Sequence, residues 1–191
     1  MDLAERRIER PGQRPPRAGD LLVSAPGLLD PNFRRTVIYL LQHDDEGSAG
    51  VVINRRFADD LTGLDLPQWV LDSSPIRAGG PVAQDSLLAL AATETTPVHV
   101  RRAVGPGVCV VDLEALPDEA PFHPLQLFVG YAGWSAGQLE DELARDDWAV
   151  MAADPADLLL IDPDRVWQAV LRRQRDTTKL WATLPAVPSH N

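Results

Sequence analysis

Short apolar runs separated by turn residues fill the first two thirds of the chain. Residues 21–25 (LLVSA) form one such run and predict a strand. Asp30-Pro31 then has the form of a helix N-cap with proline at the first helical position, opening a single turn. Residues 36–42 and 50–54 are β-branched apolar runs that flank the polar stretch 44–49. Because that stretch carries Gly47, the pair predicts a hairpin with a polar loop. Residues 66–71 fit a short helix, while 76–79, 86–91 and 107–111 are further strand candidates and 125–129 is the clearest.

Helical spacing comes late. Residues 136–145 place Leu139 and Leu143 four apart on a helix otherwise full of Gln, Glu, Asp and Arg. Asp162-Pro163 again caps and opens a helix, whose Val166, Trp167, Val170 and Leu171 repeat on one face. Strands mostly adjacent in sequence, without βαβ alternation and followed by helices, predict an α+β fold.

The beginning of the chain departs from this pattern. Residues 1–18 hold Pro11, Gly12, Pro15 and Pro16 among arginines, with only Leu3 and Ile8 to bury, and read as a disordered arm. Residues 19–191 contain no linker, repeat or low-complexity block and read as one domain. The full chain has 191 residues, 45% of them hydrophobic and 24% charged, ordinary for a globular domain able to hold its own core.

Charge narrows the partners. The chain carries 28 acidic against 18 basic side chains, a net charge of -10. Residues 1–17 contribute five arginines against three acids, so the body is more acidic than the total suggests. Such a surface repels phosphate backbones and disfavours direct nucleic-acid binding. A single cysteine, Cys109, cannot form an internal disulfide, and no apolar run approaches the ~20 residues of a membrane span. With no secretory pattern behind the early arginines, the expected location is the cytoplasm, away from membranes.

Three patterns invite chemistry. Gly133-Trp134-Ser135-Ala136-Gly137 matches G-x-S-x-G, the nucleophile elbow of serine hydrolases, between a predicted strand and a predicted helix. Its triad would need a later histidine, and the only one is His190, next to the C-terminal residue and behind two prolines. Ser135 and Gln138 also form S-x-x-Q, a capping box, which accounts for the same residues without catalysis. His43-Asp44-Asp45-Glu46 sets an imidazole beside three carboxylates, but no EF-hand, H-E-x-x-H or C-x-x-C pattern accompanies it, so neither metal nor cofactor is implied. Gly79-Gly80-Pro81-Val82 permits a close approach of backbone or ligand, yet lacks the lysine and helix of a phosphate loop. Five tryptophans read mainly as core, with Trp134 placed among glycines where it could line a pocket.

These segments, in this order, resemble the YqgE/AlgH family of bacterial proteins. The resemblance runs through Gly19-Asp20-Leu21-Leu22, Ala25-Pro26, Asp30-Pro31-Asn32-Phe33, Val37, His43, Gly47, Gly50 and Val51-Val52-Ile53-Asn54-Arg55. It continues through Gly79-Gly80-Pro81-Val82 and is strongest over residues 128–140 (FVGYAGWSAGQLE), followed by Trp148. It implies a single α+β domain with a mixed, mostly antiparallel, partly barrel-like sheet surrounded by helices. It implies no enzyme activity; one branch of the family is named for a regulatory role in alginate production. It also implies that the position of Ser135 need not be serine. The arm precedes the family core, and Arg55-Arg56-Phe57 stands where many members read Lys-Pro.

The leading expectation is therefore a non-enzymatic regulatory or interaction protein that acts indirectly on gene expression through a protein partner or a small metabolite. The alternative is a small-molecule binder or enzyme with a pocket built from His43, Asn54, Gly80, Tyr131, Trp134 and Gln138. A serine hydrolase using Ser135 ranks last.

Overall fold

In the computed structural model, residues 14–58, 68–73, 76–92, 100–115, 125–159 and 162–184 are described. Nine strands make one sheet: β1 Asp20–Ser24, β2 Val37–Asp44, β3 Gly47–Val52, β4 Arg77–Ala78, β5 Val82–Ala92, β6 Val100–Gly105, β7 Val108–Val111, β8 Leu125–Ser135 and β9 Trp148–Ala152. Around it lie α1 Gln68–Ser73, α2 Gln138–Ala144, α3 Pro155–Leu159 and α4 Pro163–Arg172, with a closing 3-10 helix over Thr177–Thr183. The strand order is β6-β7-β5-β8-β3-β2-β1-β9, and β4 adds to β8 as the one parallel pair among the described residues. The sheet is a curled, mostly antiparallel half-barrel in a single α+β domain; the residue pattern predicts the α+β class, and the family resemblance implies the partly barrel-like sheet.

The curl brings β6, at one end of the strand order, back towards β1 and β2. A Cβ on Gly19, just before β1, would stand 2.9 Å from Cα of Gly105, the last residue of β6. Inside the curl, Leu21, Val23, Tyr39, Val51, Leu90, Val110 and Phe128 meet Val166, Trp167, Val170 and Leu171 of α4 and Leu158 of α3. Outside it, Leu22, Ile38, Leu40, Ala132, Trp134, Trp148 and Val150 pack beneath Leu139 of α2. A third cluster joins Val70 of α1 to Ala89, Cys109, Val111 and Leu127.

Local chemistry sets the helix starts. Asp162 accepts from the Asp164 N–H and Pro163 opens α4, as expected. A third Asp-Pro pair, unread in the sequence, starts α3: Asp154 Oδ1 accepts from the Ala156 N–H, and Asp157 Oδ2 accepts from the Asp154 N–H. Asp30-Pro31 opens a single turn, in which the Phe33 and Arg34 N–H groups reach the Asp30 carbonyl.

Two local expectations need correction. The polar stretch 44–49 is not a loop of that length, because β2 and β3 pair down to Asp44 opposite Gly47 and only Asp45 and Glu46 turn. The strand expected over 125–129 continues through the glycines to Ser135. Of the arm, residues 1–13 lie outside the described residues. Arg14 pairs with Asp20 at 2.5 Å, and the Arg17 N–H donates to the same carboxylate.

Candidate functional site

Register fixes which side chains share a face at the β2–β3 end of the sheet. His43 stands opposite Ser48, and Ser48 opposite Trp134, so these three belong to one face. Gln42, Ala49 and Gly133 are likewise in register, and with Tyr131, two residues before Gly133, they make up the other face.

The first face is roofed by α2. Trp134 is 6% exposed and Trp148 is 2% exposed, and both indole N–H groups donate to Oε2 of Glu142, at 2.9 and 2.7 Å. Gln138 Nε2 donates to Oε1 of the same carboxylate at 3.1 Å. Phe33 stacks on Trp134 with centroids 6.4 Å apart and meets Trp148 edge-on at 5.6 Å. Beside this cluster His43 Nδ1 lies 2.8 Å from Ser48 Oγ, and its Nε2 lies 3.7 Å from Glu140. The imidazole thus bridges the hairpin to α2.

The second face forms an open groove of about 410 Å³ lined by Gln42, Glu46, Gly47, Ser48, Ala49, Val82, Tyr131, Gly133 and Trp134. Tyr131 and Val82 are cross-strand partners and remain 36% and 37% exposed. A Cβ at Gly133 would stand 3.3 Å from Tyr131 Cε2, so the phenol ring lies down on the strand there. At Gly47 (φ 140°) a Cβ would meet the Trp134 carbonyl at 2.4 Å, so only glycine lets the hairpin pass β8 this closely. Asp44 accepts from Gln42 Nε2 at 2.6 Å and from the Glu46 N–H at 2.9 Å. Those two bonds hold its carboxyl below the usual range, the Gln42 bond contributing most. Among the described residues no cation pairs with Glu46.

The six residues singled out in the sequence are therefore divided. His43, Trp134 and Gln138 meet around α2, and Trp134 also contributes to the groove; Tyr131 belongs to the groove face. Asn54 and Gly80 line neither. Asn54 accepts from the Val37 N–H at 2.9 Å and donates to the Arg35 carbonyl at 2.8 Å, tying down the entry to β2. Gly80 lies against β8, where a Cβ would stand 2.2 Å from the Tyr131 backbone. Glu142 and Gln42 were missed, while Glu46 and Val82 were read only within the 43–46 and 79–82 patterns and not as part of this pocket. Glu142 had a readable signal, its place four residues after Gln138 on a helix between two tryptophans.

Ser135 does not form an elbow. It is the last residue of β8, and the left-handed turn comes two residues later at Gly137 (φ 76°), which caps α2 without a side-chain bond. Half of the capping box forms, since Gln138 Oε1 accepts from the Ser135 N–H at 3.1 Å. The hydroxyl donates to that same oxygen at 3.2 Å and so leaves the helix amides alone. Among the described residues no group of three His, Cys, Asp or Glu side chains is placed to hold a metal ion. No described helix is long and apolar enough to cross a membrane.

Comparison with known proteins places these features in a wider set. Residues 21–179 match the family model described as AlgH-like. UPF0301 protein SCO2948 of Streptomyces coelicolor is 45% identical over 184 residues, covering 91% of this chain and 94% of the relative. A UPF0301 protein of Streptomyces avermitilis is 44% identical with the same coverage. Among solved structures, protein DIP2367 of Corynebacterium diphtheriae superposes with a TM-score of 0.79 at 28% identity, covering 90% of this chain and 94% of that one. The solution structure of AlgH from Pseudomonas aeruginosa gives 0.68 at 28% identity, covering 91% and 97%.

Proposed function

Since the chain belongs to the AlgH-like family, and membership brings no reaction with it, we propose from the site alone that this is a non-enzymatic interaction protein. It holds a segment of a protein partner in the Tyr131 groove. Any effect on gene expression is then indirect, through that partner in the cytoplasm. The observation that carries this reading is that the exposed pair Val82 and Tyr131 lies side by side on a groove, whereas the other exposed large apolar side chains among the described residues, Leu29, Leu180 and Leu184, do not line it.

The test is quantitative affinity purification from the native cytoplasm with the intact chain, with Tyr131→Glu and with Leu29→Glu. Leu29 is 70% exposed and does not line the groove, so it controls for a new surface charge. Loss of the same partners with Tyr131→Glu alone supports the reading; equal recovery by all three proteins refutes it.

The groove's volume also favours a second reading, a small metabolite at the same place, because about 410 Å³ is within the usual range for such sites. A thermal-shift screen separates the two. A metabolite at a hundred times its dissociation constant adds ~2.7 kcal/mol, roughly 5–11 °C, and the shift must vanish in Tyr131→Glu. The hydrolase reading has least support, with the Ser135 hydroxyl bonded to Gln138.

A further inference from the structure

We propose that the groove is selective for a cationic side chain, the guanidinium or ammonium group of a basic segment on the partner. The inference rests on the groove being the binding site and adds what it binds. The one charged side chain that lines the groove among the described residues is negative. Glu46 lines the groove, and Asp44 stands next to it with its negative charge stabilised by Gln42 and the Glu46 amide. Among the described residues no arginine or lysine lines the groove, and the chain as a whole carries a net charge of -10. An anionic segment would be repelled here and a cationic one drawn in.

The remaining walls suit the rest of such a side chain. Val82 and Ala49 offer apolar surface to a methylene stem, and the Tyr131 ring, flat on the strand at Gly133, offers a π surface near the charge. The Glu46 carboxylate, which pairs with no cation among the described residues, supplies the counter-charge. The groove is open rather than enclosed, which suits one side chain presented on a peptide.

The experiment is an NMR titration of the full chain with four capped pentapeptides that differ only in a central Arg, Lys, Gln or Glu. The expected result is that the Arg and Lys peptides move the amides of Gly47, Ala49 and Gly133, with affinity about tenfold above the Gln peptide. Glu46→Gln should weaken the Arg peptide about three- to tenfold, Tyr131→Ala should abolish its binding, and Tyr131→Phe should preserve it. Both positions are at the surface, and unchanged melting temperatures confirm that the three variants are folded. If the Gln or Glu peptide moves the same amides equally well, the cation selectivity is refuted while the groove remains the binding site. If no peptide moves those amides, or the Arg peptide moves others, the selectivity is refuted too, and the purification with Tyr131→Glu decides separately whether the groove binds a partner.

Discussion

Glu142 holds the roof of the first face in place, and removing its carboxylate gives a graded prediction. Both indole N–H groups point at a single oxygen, Oε2, while Gln138 uses Oε1. In Glu142→Leu two donors on nearly buried rings lose their acceptor together. Each unsatisfied buried donor costs about 1–3 kcal/mol, so about 3 kcal/mol in total is a conservative expectation. For a chain of this length that corresponds to a fall in melting temperature of roughly 6–12 °C. Glu142→Gln distinguishes the hydrogen bonds from mere packing. Its amide oxygen can keep both indoles, while its NH2 faces the Gln138 donor, so it should lose only about 1 kcal/mol. Thermal denaturation followed by tryptophan fluorescence reads both variants. A Leu variant within about 2 °C of the parent, or a Gln variant as damaged as the Leu one, would refute the assignment.

Two further outcomes are expected elsewhere in the fold. Burial, with the Asp20 charge second, pushes the Tyr39 phenol above its ordinary value of 10.0. The unfolded chain therefore loses this proton first, and stability should fall above pH 10 with a slope approaching about 1.4 kcal/mol per pH unit; denaturant melts of Tyr39→Phe should lack that component. Asp157 is fully buried and takes two 2.6 Å bonds from Arg173. Arg173→Met should cost about 3 kcal/mol, and Arg173→Met with Asp157→Asn should recover part of it, whereas a double variant no better than the single one would show that the buried charge is not the cause.

The elements that were legible in the sequence are those whose burial is local. β1 and β2 read as continuous apolar runs because the curl covers one face and α2 with its neighbours covers the other, so Leu21 and Leu22 both have packing partners. β6 was missed because it is an edge strand whose Arg101 and Arg102 point to solvent, leaving no apolar pattern. β9 was missed because Trp148 reads equally well as a residue docking a helix. β8 was cut short at Gly130, where the chain needs a left-handed residue (φ 69°) to clear the backbone of Gly80 and Val82, a demand set by distant segments. The site divides in the same way. His43, Trp134 and Gln138 are brought together by pairing that their sequence positions hint at, whereas Val82 joins Tyr131 only through the sheet register.

The long strand β8 also limits how the chain can be divided. Residues 125–129 pair with β5, and residues 132–135 pair with β3, so one uninterrupted segment completes both halves of the sheet. A break within Leu125–Ser135 would leave two fragments that each lack a central strand, and neither should assemble alone. New termini for a circular permutant belong instead in the exposed bulge of β5 around Gln84 and Asp85, where the register skips between Val82 and Leu87.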